Sequence, residues 1–129
     1  MLAIVAVEAT QQRFEDLQRA LMTRWPESRV GSGIGRVEHV LDILGEPQRA
    51  IPAIHIAGTN GKTSTSRMVE SLLQAFGLRT GLFTSPHLHS ITERIRVDGE
   101  PVSQEQFLEA YEQIEMALQL ADAASEAEG

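Results

Sequence analysis

The sequence predicts a helix-rich α/β fold whose strands pair in parallel, and three observations carry that expectation. The nearly continuous apolar run Ile51–Ala57 has the composition of a strand buried on both faces. A glycine turn at Gly58–Gly61 leads from it into an amphipathic helix running from Lys62 to Phe76. A second strand, Arg79–Thr84 (RTGLFT), follows directly. Strand, helix and strand in that order require a crossover, which places the two strands side by side and parallel.

The remaining elements follow in chain order. Residues 1–9 read as an N-terminal segment. Thr10 is placed to cap a helix reaching about Met22, with Phe14, Leu17 and Leu21 on one face. Trp25-Pro26 ends it, because proline cannot continue the hydrogen-bond ladder and restricts the residue before it. Arg29–Gly35 (RVGSGIG) is a glycine-rich loop. It follows no strand and has Arg36 where a third glycine would fall, so it is no dinucleotide fingerprint. Ile34, Val37, Val40, Leu41 and Leu44 mark a second amphipathic helix, stopped by Gly45 and Pro47.

The helix after the glycine turn is expected to bury Met68, Val69, Leu72, Leu73 and Phe76 and to close at Gly77. Ser85–Glu93 is an irregular loop holding Pro86 and two histidines. Arg94–Val97 reads as a short strand entering an Asp98-Gly99 turn. Ser103 and Gln106 form a capping-box pattern for a helix from Gln104 to about Leu120. Phe107, Leu108, Tyr111, Ile114 and Leu118 give it an apolar face, and Glu105, Glu109, Glu112 and Glu115 a solvated one. Residues 121–129, rich in alanine and acid, read as a linker or frayed end.

Composition narrows the classes of function. The 129 residues, 42% apolar and 22% charged, suit one modest globular domain. A net charge of -7 argues against a protein built to neutralise a nucleic-acid backbone, though a bound nucleotide needs only local positive potential. There are no cysteines, which removes disulfide, thiolate and cysteine–zinc chemistry and accords with a cytoplasmic protein. Leu2–Val7 is too short to span a bilayer, and no membrane partner is expected.

The candidate chemistry lies at Gly58-Thr59-Asn60-Gly61-Lys62-Thr63-Ser64. Glycines let backbone N–H groups approach phosphate oxygens without a Cβ in the way. The helix N-terminus adds partial positive charge, and Lys62 adds a full one for the β- and γ-phosphates. Thr63 or Ser64 offers a hydroxyl for magnesium or phosphate. The strict phosphate-loop pattern needs glycine where this chain has Ile56. His87 and His89 share a loop but suit magnesium poorly, so His87 is assigned a structural or pocket role. Glu93 and Arg94 are expected to fix that loop or to form a solvated pair. His39 is placed on a polar helix face and His55 in the buried strand.

These residues resemble a known family. GTNGKTS is similar to the nucleotide loop of the Mur ligase superfamily of ATP-dependent amide ligases. Thr84-Ser85-Pro86-His87-Leu88 followed by Glu93-Arg94-Ile95 resembles its folylpolyglutamate synthase/dihydrofolate synthase branch, as does Gly33-Ile34-Gly35-Arg36-Val37 at an early helix start. The agreement in order and spacing runs from about Phe14 to Ile114. One departure is Thr63, where that branch commonly has glycine and the cell-wall Mur ligases often have threonine.

The resemblance implies the N-terminal portion of an ATP-binding, phosphate-loop parallel-sheet domain of Mur ligase central type, occupying residues 1–129. It implies ATP-dependent addition of L-glutamate to folate or dihydropteroate through an acyl phosphate, in a full-length protein expected to be monomeric. Lys62 would be catalytic, Gly58–Ser64 would bind nucleotide, and Ser85 with Thr63 would bind Mg2+. Arg29, Val30, Gly31 and Ser32, with His87, would contact the pterin-bearing substrate. The family's metal-binding glutamate, later histidine and modified lysine are expected beyond residue 129, so the chain is expected to be a fragment, inactive alone. Two alternatives stand beside this: a cell-wall peptide ligase, and a nucleotide-binding fragment without catalysis.

Overall fold

A computed structural model of the chain describes residues 2–24 and 34–127. Among the described residues four α-helices dominate: α1 (Leu2–Arg24), α2 (Ile34–Ile43), α3 (Lys62–Ala75) and α4 (Gln104–Ala127). Three short strands, β1 (Gly81–Phe83), β2 (Ile95–Val97) and β3 (Glu100–Pro101), form one sheet in that order. The helix-rich α/β character agrees with the sequence. By internal packing the chain divides into two compact units, one taking in residues up to Phe14 with Ile54–Phe107, the other Glu15–Ala53 with Leu108 onward.

α1 begins at Leu2, so residues 2–9 continue the helix and Thr10 lies inside it rather than at its cap. Nothing in LAIVAV breaks a helix, and no proline or glycine interrupts the run to Arg24. Trp25-Pro26, the expected terminator, lies outside the described residues. In the first unit Phe14 is 3% exposed and meets Phe107 edge to face, with ring centroids 5.7 Å apart and planes at 85°. This arrangement sets the positive ring edge against the negative ring face.

α2 and α3 end as the sequence predicts. After α2, the Gly45 and Glu46 N–H groups donate to Asp42 and Leu41 carbonyls at 3.1 and 2.8 Å. After α3, Gly77 and Leu78 donate to Gln74 and Leu73 at 2.8 and 3.1 Å. Both are Schellman closures, which satisfy carbonyls the helix would otherwise leave open. α4 starts with the reciprocal box at Ser103 and Gln106, bonds of 2.8 and 3.1 Å. It continues as helix to Ala127, within the segment expected to be a linker or frayed end, and Ala121 is 3% exposed. Leu108 and Ala117 are also buried in the second unit, while the four glutamates of the acidic face are exposed. Among the described residues no helix is long and apolar enough to cross a membrane.

The sheet corrects one expectation. All its pairing is antiparallel: Leu82 faces Arg96 across β1 and β2, and Val97 faces Glu100 across β2 and β3. Ile51–Ala57 forms no ladder among the described residues, with Ile51 and Ile54 70% and 64% exposed and His55 exposed rather than buried. An apolar run becomes a two-faced buried strand only when other elements cover both faces. Here β1 pairs with its sequence neighbour β2.

α3 presents a second correction. Its packed stripe is Ser66, Val69, Glu70, Leu73 and Gln74, at helical spacing. Met68, Leu72 and Phe76, expected inside, are 66%, 61% and 81% exposed. Glu70 is only 6% exposed and reaches Arg96 of β2, Nε to Oε2 at 3.4 Å, while its Oε1 has no hydrogen-bond partner among the described residues. Gln74 Nε2 donates to Thr80 Oγ1 at 3.0 Å. These polar ties hold α3 against the hairpin, where periodicity alone had favoured the more hydrophobic stripe.

Asp98 and Gly99 make the two-residue hairpin turn, with φ of 50° and 89°. Left-handed backbone at both positions is what the right-handed strand twist demands. Asp98 Oδ1 accepts from the Thr80 N–H at 2.9 Å and Oδ2 from Arg79 Nε at 3.1 Å. The Thr80 bond first, then Arg79, holds the Asp98 carboxyl below the usual range. A Cβ on Gly99 would sit 2.9 Å from Gln74 Nε2 in a backbone region that side chains avoid. Gly99→Ala is therefore expected to destabilise the chain by about 1–2 kcal/mol. Chemical denaturation measures this, and an unchanged midpoint would contradict the turn assignment.

Candidate functional site

The glycine loop and α3 form a helix N-terminus without a side-chain cap. Gly61 occupies the cap position with φ 73° and ψ 4°, a conformation open to glycine and strained for most other residues. The Thr65 N–H donates to the Gly61 carbonyl at 2.9 Å and opens the helical ladder. The donors of the first turn therefore face outward at the positive end of a 14-residue helix. Lys62, its first residue, folds back so that Nζ donates to the Gly58 carbonyl across the loop. A full positive charge thus lies over the turn. Every residue from Gly58 to Thr65 is exposed. The Thr63 and Ser64 hydroxyls have no hydrogen-bond partner among the described residues, so they remain open to a ligand.

β1 packs against α3, and the chain leaves β1 into the loop carrying the other predicted residues. Ser85 is exposed just past the carboxyl end of β1, joined to Pro86 by a cis peptide bond. The loop is held by its own chain. Glu93 accepts from three N–H groups, Leu88 at 3.0 Å and His89 and Ser90 each at 2.9 Å. Ser90 caps the short 3-10 helix Ile91–Arg94 in a capping box with the same Glu93. The Leu88, Ser90 and His89 amides, in that order of effect, pull the Glu93 carboxyl from 4.5 to about 2. Arg94 Nε donates to His87 Nδ1 at 2.7 Å, and His87 is half-buried. His89 Nδ1 is 3.8 Å from Glu93 Oε1 with its side chain 88% exposed.

Lys62 and Gly58 are thus brought together, as are His87, Glu93 and Arg94, all within the first unit. Arg29, Val30, Gly31 and Ser32 lie outside the described residues. The sequence expects Glu93 and Arg94 to fix the loop as a pair, and each does so through its own partners, Glu93 in a Ser90-x-x-Glu93 capping box and Arg94 at His87. Sequence reasoning missed the buried Glu70, for which no local pattern gives a signal. A shallow depression in the second unit, lined by Glu38, Leu41, Asp42, Glu46, Gln48 and Arg49, shares no residue with this site. Its Arg49 pairs with Glu46 at 2.9 Å, as solvated surface groups do.

Among the described residues no group of three histidine or acidic side chains is arranged to hold a metal. Hydroxyl oxygens do suit magnesium, which takes one or two protein ligands and completes its shell with phosphate and water. The exposed Thr63 and Ser85 hydroxyls are oxygen donors of that kind.

A glycine turn, an open helix end and a lysine folded over it give an α/β chain with the geometry of a phosphate loop, and comparison with known proteins specifies its kind. No protein-family model matches. Dihydrofolate synthase/folylpolyglutamate synthase of Mycobacterium tuberculosis is 49% identical over 111 residues, 86% of this chain and 23% of that protein. The Bacillus subtilis protein of the same name is 40% identical over 93 residues, 72% of this chain and 22% of its own length. The solved structure of Mycobacterium tuberculosis folylpolyglutamate synthase complexed with ADP superposes with a TM-score of 0.84 at 44% identity, covering 92% of this chain and 26% of that one. The fold is therefore part of the Mur ligase type. The chain belongs to the folylpolyglutamate synthase/dihydrofolate synthase family and spans about a quarter of the length of the relatives it matches.

Proposed function

We propose that this chain supplies the phosphate-handling part of an ATP-dependent ligase that joins L-glutamate to folate or to dihydropteroate. The observation that carries the reading is the uncapped N-terminus of α3 with Lys62 folded over the Gly58 turn. The names of its relatives support the substrate class, and the ADP in the mycobacterial complex supports the nucleotide.

A carboxylate is a poor acyl donor because its oxygen is a poor leaving group. Transfer of the γ-phosphoryl group from ATP to a carboxylate oxygen gives ADP and an acyl phosphate. The glutamate amine then attacks the acyl carbon, the carbon–oxygen bond to phosphate breaks, and loss of a proton leaves the amide. Lys62 swings from the Gly58 carbonyl to the phosphate oxygens and opposes the charge developing there. The first-turn N–H groups of α3 orient the same oxygens. Thr63 and Ser85 would hold a magnesium ion, whose charge offsets that of the phosphates. Ser85 and His87 sit on a loop pinned by Glu93, so its geometry is set before a ligand arrives.

The 129-residue chain is expected to bind ADP in the presence of magnesium, with amide shifts concentrated at Gly58–Ser64 in NMR titration. Absence of shifts there at millimolar nucleotide would sink the reading.

A further inference from the structure

We propose that Arg94 is a positioning residue that fixes His87 as a hydrogen-bond donor at Nε2, offered to an oxyanion of the bound ligand. The proposal rests on the reading that the loop after β1 borders the ligand. A guanidinium has donors and no acceptor, so at 2.7 Å the His87 Nδ1 must be the acceptor and carry no hydrogen. The single proton of the neutral ring is then on Nε2. Among the described residues Nε2 has no hydrogen-bond partner, and the ring is half-buried, so its orientation is held while one edge stays available.

The surroundings suit this role. Arg94 and Glu93 are adjacent on the short helix Ile91–Arg94, and both reach back to the loop that bears His87. Glu93 grips the backbone at Leu88, His89 and Ser90, and Arg94 sets the His87 side chain. Glu93 has its charge directed onto those amides, so it does not compete for the His87 donor. Ser85, on the same loop, adds a hydroxyl with no protein partner among the described residues. A donor edge and a hydroxyl two residues apart on one loop suit an anionic oxygen, whether from a phosphate or from a carboxylate.

Long-range 15N–1H correlation spectra of the 129-residue chain test the assignment. The expected result for His87 is an unprotonated, hydrogen-bonded Nδ1 and a protonated Nε2. Arg94→Ala should lose the hydrogen-bonded Nδ1 signature, and Arg94→Lys, which retains a donor, should restore it in part. A protonated Nδ1 in the wild type overturns the proposal, as does a signature unchanged by Arg94→Ala. Titrations with ADP and with folate, run separately, identify the source of the oxyanion by which one moves the Nε2 resonance. Movement at Gly58–Ser64 with Nε2 still in both titrations overturns the proposal and leaves the phosphate-loop reading standing. Movement at Nε2 with the loop amides still does the reverse. If neither moves, both fall.

Discussion

Lys62→Ala is expected to remove ATP-dependent coupling of glutamate in a chimera that carries this chain in place of the matching segment of its Mycobacterium tuberculosis relative. The loss should be about 10²–10³-fold in kcat, the size seen when one preorganised donor to a developing anion is deleted. Lys62 stands first on α3, directly over the glycine turn, and its ammonium is held there by the Gly58 carbonyl. No other lysine or arginine lies between Gly58 and Ser66 to take over. Steady-state assays with dihydropteroate or folate read the effect. Turnover within a few-fold of the parent chimera would show that the charge is not used.

Removing the Glu93 carboxylate is expected to release the loop that carries Ser85 and His87. Three amides, at Leu88, His89 and Ser90, lose their acceptor together in Glu93→Ala. Hydrogen exchange at those amides should accelerate by roughly fivefold or more, on the scale of losing a helix-capping acceptor. The same contacts give a pH dependence whose sign follows from the depressed carboxyl. Because folding lowers the Glu93 pKa from 4.5 to about 2, its contribution is whole above 4.5 and fades as pH falls towards 2. Loop protection should therefore decline through that acid window in the wild type and show no such step in Glu93→Ala. Identical profiles for the two would remove Glu93 from the loop's support.

Much of this architecture was legible because it is locally encoded. Gly45, Gly77 and the Ser103–Gln106 pair declare their helix ends through backbone geometry and short-range hydrogen bonds, and the structure has them there. The Asp98-Gly99 turn is of the same kind. What failed was whatever depends on distant partners. Ile51–Ala57 has strand composition but no ladder among the described residues, since composition cannot supply the neighbour that makes a strand. On α3 two stripes compete at the same helical period, and Glu70 facing Arg96 decided which one packs. The start of α1 was misplaced because Thr10 is an adequate cap in isolation, yet the preceding residues propagate a helix equally well. At the candidate site the loop and its lysine were readable from their motif, as was a loop-fixing role for Glu93 and Arg94, whereas their separate partners depend on the loop's three-dimensional return.

The contact between Lys62 and the Gly58 carbonyl also bears on selectivity. The ammonium reaches an arriving group only by giving up an acceptor it already has. A neutral oxygen offers a bond of the same kind, so the exchange is near balance. An anionic oxygen offers roughly twice the bond strength, and the exchange then runs forward. The carbonyl acts as an internal competitor that a neutral visitor cannot displace at a profit. A loop so arranged is expected to favour an arriving anion over a neutral group by charge alone.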